Sequence, residues 1–316
     1  MHGIHPPVLT PGARVAVSCP ASPVVDPEQL ARGIARLRAA GFDVVMGESC
    51  AVREGMWAGD DKARARELTH FLLDPTIEAI FAGRGGVGSM RLLPLLDDLP
   101  QDIAPKWIIG RSDLTALHLA FWRRFRLIGL SGPMVATDFG GDPPGGVLAD
   151  TLRILTDPEP IGLLAAGSME VWREGSPDGP LIPANLSLIS SMVGTRYIPP
   201  LAGAILVLEE IGEPPHRCDR MLTQLRLSGS LDGLAGLIFG QFTECVPHGA
   251  DPSPGALADL LRGHADEIGA PTLAGFPYGH EPVFSPLPVG ARARMSSDPP
   301  GLILLEGVGA PRAGRV

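Results

Sequence analysis

A serine at the start of a helical pattern is the residue of this chain best placed for nucleophilic chemistry. Ser112 follows the apolar run 107–109 and Gly110, and an amphipathic pattern begins at Asp113. A strand-to-helix turn of this kind projects a hydroxyl from the edge of a sheet, beside backbone N–H groups that can stabilise an oxyanion. Helix capping is the alternative role, because serine is a common N-cap residue.

A glycine-rich segment precedes this turn along the chain. Residues 83–88 contain the pattern G-x-G-x-x-G between a strand and a helix, which taken literally is the dinucleotide fingerprint. That fingerprint belongs on the first strand–helix turn of a Rossmann fold, whereas the first turn here, residues 19–23, contains prolines that lack N–H donors. We therefore expect the glycines to bring backbone N–H groups close to a developing negative charge on a substrate.

A nucleophilic hydroxyl needs a base and an orienting acid, and the second half of the chain offers both. Glu209 and Glu210 directly follow the apolar run 204–208, and His280 lies in a loop bounded by glycine and proline. A solvated glutamate and an idle loop histidine are the alternatives. The order Ser, Glu, His is that of an α/β-hydrolase, but Leu114 replaces the second glycine of its G-x-S-x-G elbow. The constellation also recurs on unrelated folds.

The elements that must position these residues alternate in the first half of the chain. Apolar runs predict strands at 14–18, 43–46, 78–82, 107–109 and 127–130, and helical patterns separate them at 27–40, 60–73, 89–96 and 113–124. Such alternation predicts an α/β fold with a parallel sheet covered by helices on both faces. The glycine-rich segment and the Ser112 turn would then lie at the carboxyl ends of strands, where open α/β sheets bind ligands.

The pattern changes in the second half, which predicts a second domain. A Gly/Pro-rich stretch with Trp172 in its middle is interpreted as an interdomain connection at 161–183. We therefore predict an N-terminal α/β domain at 1–160 and a C-terminal domain at 184–316. Strands are shorter and alternate less regularly beyond the connection, so the second domain is expected to be smaller and mixed α/β.

Composition and charge exclude several classes of protein. The 316 residues carry a formal net charge of −9 and are 45% hydrophobic, which argues for a globular protein and against a nucleic-acid partner. We find no signal peptide and no membrane span. The four cysteines and eight histidines show no metal-ligand spacing, so we expect no metal and no disulfides, and a cytoplasmic location.

Several ordered motifs resemble those of the serine LD-carboxypeptidase family, which also contains the microcin C immunity peptidases. Residues 58–64 resemble its AGxDxxR segment, residues 84–94 its RGGYGSxRLLP loop and residues 109–117 its IGxSDxTAL turn. Residues 208–213 with 219–222 are similar to LEDxxE…DRML, and residues 275–280 with 287–290 to GxPxGH…LPxG. Together these motifs run over nearly the whole chain.

The resemblance implies a role for each of five residues. Ser112 would be the nucleophile, His280 the general base and Glu209 the carboxylate that orients the imidazole; we call these three the candidate triad. The backbone N–H groups of Gly86 and Asp113 would form the oxyanion hole. Family members have an N-terminal flavodoxin-like domain and a C-terminal domain that supplies Glu and His, are typically homodimers, and use no cofactor or metal.

The implied reaction is the release of a terminal D-amino acid from a muropeptide in cell-wall recycling. Cleavage of a peptidyl-nucleotide antibiotic of the microcin C type is the alternative, with Trp172 stacking on the nucleobase. A third hypothesis is a non-catalytic anion-binding module. Arg84 and Arg111 are candidates to hold the substrate's carboxylate. Arg111, and the segments 131–134 and 183–186, depart from the family pattern on loops expected near the cleft.

Overall fold

A parallel sheet carries the Ser112 turn and the glycine-rich segment. The computed structural model describes residues 3–141, 146–165, 169–246 and 256–311. Its first sheet and the helices between the strands are built from β1 (Arg14–Ser18), α1 (Pro27–Ala39), β2 (Asp43–Met46), α2 (Asp61–Leu73), β3 (Ala79–Ala82), β4 (Trp107–Ile109), α3 (Thr115–Phe125) and β5 (Gly129–Ser131). Short 3-10 helices lie at Glu48–Ala51, Ser89–Leu96 and Ser112–Leu114, and a π-helical turn at Val135–Phe139.

The strand order of this sheet brings the two candidate loops side by side. The strands pair in parallel in the order β2, β1, β3, β4, β5, which is the flavodoxin-like order of doubly wound sheets. The glycine-rich segment follows β3 and the Ser112 turn follows β4, and these strands are neighbours, with Phe81 opposite Ile109. The predicted α/β class and parallel sheet are confirmed.

The second half of the chain builds a second sheet. Its elements are α4 (Val147–Thr156), β6 (Gly162–Ala165), β7 (Glu170–Arg173), β8 (Asp178–Asn185), α5 (Leu186–Ser191), β9 (Ile205–Ile211), α6 (Pro215–Leu227), β10 (Gly236–Thr243), α7 (Ala256–Ile268), β11 (Thr272–Ala274), β12 (Leu287–Val289), β13 (Arg292–Ser297) and β14 (Pro300–Leu304). The sheet order is β6, β14, β13, β8, β9, β10, β11, β7, with β8 to β11 parallel and the outer strands antiparallel.

One strand of the second half belongs to the first sheet. β12 pairs antiparallel with β5, placing Leu287 opposite Ser131 and Val289 opposite Gly129. Because the loop that carries His280 lies between β11 in one sheet and β12 in the other, that loop crosses from the second sheet to the first. The chain path thereby carries His280 toward the sheet that holds Ser112.

Several local predictions differ from the structure. The segment 89–96 is a 3-10 helix with Pro94 inside it, consistent with a proline that cannot donate the backbone hydrogen bond of an α-helix. Much of the segment 161–183, interpreted above as a connection, is built into the second sheet as β6, β7 and most of β8. This sheet has more strands than the first among the described residues. The domain boundaries themselves stay predictions.

Apolar strands account for the core on both sheets. Val15, Ala16 and Val17 of β1 are completely buried, as are Leu206, Val207 and Leu208 of β9, because helices or loops cover both faces of these central strands. None of the helices in the described ranges combines the length and the apolar character needed to cross a bilayer.

Candidate active site

The Ser112 turn has a backbone geometry that is unusual for a serine. Gly110, directly after β4, has a φ of +150°, and a Cβ there would lie 2.5 Å from a methyl carbon of Leu114. Ser112 itself has a φ of 63°, in the left-handed region that costs a non-glycine residue about 1–2 kcal/mol. Strained residues of this kind concentrate at functional sites. The turn therefore holds the half-buried Ser112 hydroxyl in a position that an ordinary helix start would not provide.

A buried histidine anchors this turn from within α3. His118 lies on α3, shortly after Ser112 in the chain, and is 2% exposed. Its Nε2 donates a hydrogen bond of 2.8 Å to the carbonyl oxygen of Gly110, which requires the hydrogen to be on that nitrogen. Burial lowers the pKa of His118 to about 4, so the ring is neutral near pH 7. His118 therefore has a structural contact inside the protein.

Acidification is therefore expected to weaken the Ser112 turn. Because an unfolded histidine takes up a proton near pH 6.5, and folding lowers the pKa of His118 to about 4, the free energy of unfolding should fall between these values by up to about 3 kcal/mol. Urea unfolding at several pH values measures this free energy of unfolding. In His118→Gln the amide can donate the same hydrogen bond without titrating, so its stability should depend less on pH; equal slopes would contradict the prediction.

The glycine-rich segment packs directly against the Ser112 turn. A Cβ on Gly85 would lie 3.4 Å from the Cβ of Ser112. Ser22 holds the segment from the opposite side: its N–H donates to the carbonyl of Gly85 at 3.2 Å, and its hydroxyl accepts from the N–H of Val87 at 3.0 Å. Gly86, between them, has a φ of +105°, and a Cβ there would lie 2.3 Å from the Ser22 hydroxyl oxygen. Only glycine fits this position without displacement.

Two backbone donors remain free beside Ser112. Within the described ranges, neither the N–H of Gly86 nor the N–H of Asp113 donates a hydrogen bond to another protein group, and Gly86 is exposed. The carboxylate of Asp113 accepts from the N–H of Ser89 at 2.7 Å, and the Ser89 hydroxyl donates to the Asp113 carbonyl at 2.5 Å. These bonds tie the turn to the end of the glycine-rich segment. Burial raises the pKa of Asp113.

A buried arginine braces the same loops, and the sequence assigned it no role beyond its place in a motif. Arg64 is 1% exposed. Its guanidinium donates to the carbonyls of Gly59 at 3.1 Å, Pro20 at 2.5 Å and Gly88 at 3.2 Å and pairs with Asp61. The partners are mostly backbone carbonyls of three separate loops, which no local sequence pattern identifies.

The second sheet contributes a buried carboxylate hydrogen-bonded to a histidine. Glu209 of β9 is 1% exposed, and its Oε2 accepts a hydrogen bond of 2.7 Å from Nδ1 of His280. In the neutral ring this hydrogen bond requires the hydrogen on Nδ1, which leaves the lone pair on Nε2. The other oxygen of Glu209 is buried without a partner among the described residues. A buried carboxylate bonded to Nδ1 of a histidine orients the imidazole and stabilises its protonated form.

The loop of His280 is bonded to the loops at the carboxyl ends of β4 and β5. Arg111, directly before Ser112, donates from Nε to the carbonyl of Gly279, directly before His280, at 3.0 Å. The hydroxyls of Tyr278 and Ser131 are 2.7 Å apart, and burial raises the pKa of Tyr278. The structure thus brings the predicted serine turn, glycine-rich segment and Glu209–His280 pair to one place between the two sheets.

The two arginines expected to hold a substrate carboxylate both have protein partners. Arg84 donates to the carbonyl of Pro23 at 3.0 Å, so it braces the loop after β1. Arg111 is buried, forms an ion pair with Asp138 and donates to Gly279. The guanidinium of Arg111 therefore points into the protein, toward Asp138 and Gly279.

Trp172 lies on β7, the edge strand of the second sheet. Its indole nitrogen donates to Glu170 at 2.9 Å. Its ring lies 5.5 Å from that of Phe239, and the guanidinium of Arg262 covers it at 4.6 Å. No hydrogen bond or ring contact links it to the candidate triad in the part of the chain that the structure describes. The structure therefore places Trp172 in the packing of the second sheet, and its contact with a substrate stays a prediction.

Comparison with known proteins agrees with this architecture. The family model described as the LD-carboxypeptidase N-terminal domain matches residues 15–132, and the one described as the LD-carboxypeptidase C-terminal domain matches residues 178–295. The murein tetrapeptide carboxypeptidase of Pseudomonas aeruginosa is 32% identical over 281 residues, covering 84% of this chain and 88% of that protein.

Two further similarities concern a microcin immunity protein and a protein named as similar to it. The microcin C7 self-immunity protein MccF of Escherichia coli is 26% identical over 305 residues, 87% of each chain. The crystal structure of an MccF-like protein from Bacillus anthracis superimposes with a TM-score of 0.85 at 25% identity, covering 96% of this chain and 99% of that one. The similarity thus extends over both halves of the chain.

Proposed function

The chain belongs to the LD-carboxypeptidase family and is a carboxypeptidase, and from this premise we propose that it hydrolyses its substrate through Ser112, His280 and Glu209. The observation that carries the proposal is the hydrogen bond from Nδ1 of His280 to the buried carboxylate of Glu209. His280 lies on a loop that is bonded to the residue before Ser112. An imidazole oriented by a carboxylate and a hydroxyl on a strained turn are the groups that nucleophilic catalysis requires, and here their two loops are bonded to each other.

The proposed mechanism proceeds through an acyl-enzyme. Nε2 of His280 takes the hydroxyl proton as Oγ of Ser112 forms a bond to the scissile carbonyl carbon. The N–H groups of Gly86 and Asp113 donate to the resulting oxyanion, and each such donor contributes about 10²- to 10³-fold to kcat. His280 then gives its proton to the departing amine. Water, activated by the same nitrogen, hydrolyses the ester and regenerates Ser112.

We propose a muropeptide with a terminal D-amino acid as the substrate. Two observations favour it over a peptidyl-nucleotide. The chain is more similar to a murein tetrapeptide carboxypeptidase than to MccF, at 32% against 26% identity. Trp172, the residue expected to stack on a nucleobase, already has ring contacts with Arg262 and Phe239, so a base that stacked on the face covered by Arg262 would have to displace the guanidinium.

A parallel assay of both substrate classes tests this choice. Purified protein is incubated with a muropeptide tetrapeptide ending in an L,D bond, with its L,L-terminated diastereomer as control, and with an aminoacyl-sulfamoyl adenosine. We expect release of the D-amino acid with a kcat/KM at least about tenfold above that for the nucleotide and no cleavage of the L,L control, detected by mass spectrometry. Trp172→Ala should leave muropeptide cleavage unchanged. Faster cleavage of the nucleotide, lost in Trp172→Ala, would favour the microcin-type activity.

The same protein preparation distinguishes an enzyme from an anion-binding module. A fluorophosphonate should label Ser112 of the wild-type protein, because the reagent reacts with serines activated by a base. Saturable binding of inorganic phosphate without labelling would favour the anion-binding module. That hypothesis leaves the buried Glu209–His280 pair without a role.

A further inference from the structure

Arg111 occupies a position that links the nucleophile's turn to the histidine's loop. It is 6% exposed and directly precedes Ser112. Its Nε donates to the carbonyl of Gly279 at 3.0 Å, and its guanidinium carbon lies 4.2 Å from the ring centre of Phe284. Gly279 and Phe284 are the two ends of a loop whose residues 281–283 are exposed. Arg111 therefore holds both ends of the loop that carries His280.

The charge of Arg111 is balanced by Asp138. Nη1 of Arg111 forms an ion pair with Oδ2 of Asp138, whose side chain is 13% exposed. Asp138 lies on the π-helical turn Val135–Phe139 and its carboxylate also accepts from the N–H of Met134 at 2.7 Å. The carboxylate is thus fixed to the loop that follows β5. An ion pair between two anchored groups holds its geometry better than one between mobile surface chains.

We infer that Arg111, paired with Asp138, is a positioning residue that docks the His280 loop onto the Ser112 turn, and that it does not bind the substrate's carboxylate. Nε, Nη1 and one face of the guanidinium are already engaged by Gly279, Asp138 and Phe284. The inference rests on the proposed function, because docking of the two loops would set the distance between Ser112 and His280. Misplacement by about 1 Å can cost about 10²-fold in rate.

A reagent without a carboxylate separates positioning from substrate binding. The rate of labelling of Ser112 by a neutral fluorophosphonate is measured for the full-length wild type, Arg111→Met, Arg111→Lys and Asp138→Asn, together with kcat and KM for the muropeptide. Arg111→Met should label about 10- to 100-fold more slowly and lose kcat by a similar factor with KM changed less than about twofold. Arg111→Lys, which keeps the charge, should recover part of the rate.

Two controls keep the result interpretable. Arg124→Met removes another partly buried arginine that donates to main-chain carbonyls away from the candidate triad, and it should label at the wild-type rate. Circular dichroism and melting temperature identify any variant that fails to fold, and Asp138→Asn then tests the ion pair with Arg111 in place.

The outcomes distinguish this inference from the function on which it depends. Labelling of Arg111→Met and Asp138→Asn at the wild-type rate, with KM raised about tenfold or more in Arg111→Met, would overturn the positioning role and favour carboxylate binding. Failure of the wild type itself to label at Ser112 would instead overturn the proposed function, and this inference with it.

Discussion

Ser112→Ala is expected to lower kcat for the muropeptide by about 10⁴- to 10⁶-fold. The substitution removes the atom proposed to form the bond to the substrate, whereas the N–H groups of Gly86 and Asp113 remain in place. The residual rate then reflects oxyanion stabilisation and binding alone. Release of the D-amino acid under single-turnover conditions, together with loss of fluorophosphonate labelling, measures the effect. Turnover within about tenfold of the wild type would end the proposal that Ser112 is the nucleophile.

Ser112→Gly provides a matched control for the strained backbone. Both variants lack the hydroxyl, so both should be inactive. Ser112 has a φ of 63°, a conformation that glycine adopts without the cost of about 1–2 kcal/mol that alanine retains. The glycine variant should therefore melt at a temperature no lower than that of the alanine variant. This comparison separates lost chemistry from lost stability.

Glu209→Gln is expected to lower kcat by about 10²- to 10⁴-fold while the protein stays folded. The amide has nearly the same shape, but it is neutral and no longer stabilises the imidazolium of His280. Its NH₂ group can also face Nδ1, which would reverse the ring's tautomer. Because one oxygen of Glu209 is buried without a partner among the described residues, replacing the carboxyl group by an amide should cost little stability. Measuring kcat and the melting temperature of Glu209→Gln tests both the expected loss of activity and the expected retention of stability.

The neighbouring glutamate is the control for this substitution. Glu210 is equally buried, and burial raises its pKa. Its carboxylate accepts from the amide of Asn185 at 2.9 Å and from the hydroxyl of Ser187 at 2.6 Å, which fixes the start of α5. Glu210→Gln should therefore change the melting temperature more than kcat. Equal losses of kcat in the two variants would contradict a specific role for Glu209.

The sequence by itself was sufficient to predict the α/β class and the candidate residues. Buried strands such as 107–109 are continuous apolar runs, and the first helix begins after the N-cap Asp26, signals that depend only on nearby residues. The signals at Ser112, Glu209 and His280 are likewise local, because each follows a strand or lies in a loop bounded by glycine and proline.

What the sequence did not predict depends on residues far apart in the chain. The left-handed φ of Ser112 follows from the packing of its turn against Gly85 and the anchoring of Gly110 by His118. The segment 161–183 became part of a sheet because β11 and β14 were available to pair with its strands.

The contacts of Arg111 were decided by the tertiary structure for the same reason. Its type predicted carboxylate binding, but its carboxylate partner within the protein is Asp138. It also donates to the carbonyl of Gly279, which lies 168 positions away in the chain. Periodicity records which side chains are buried, whereas the partner of a buried charge depends on which loops the fold brings together. Tertiary structure therefore decides whether a guanidinium faces a substrate or the protein interior.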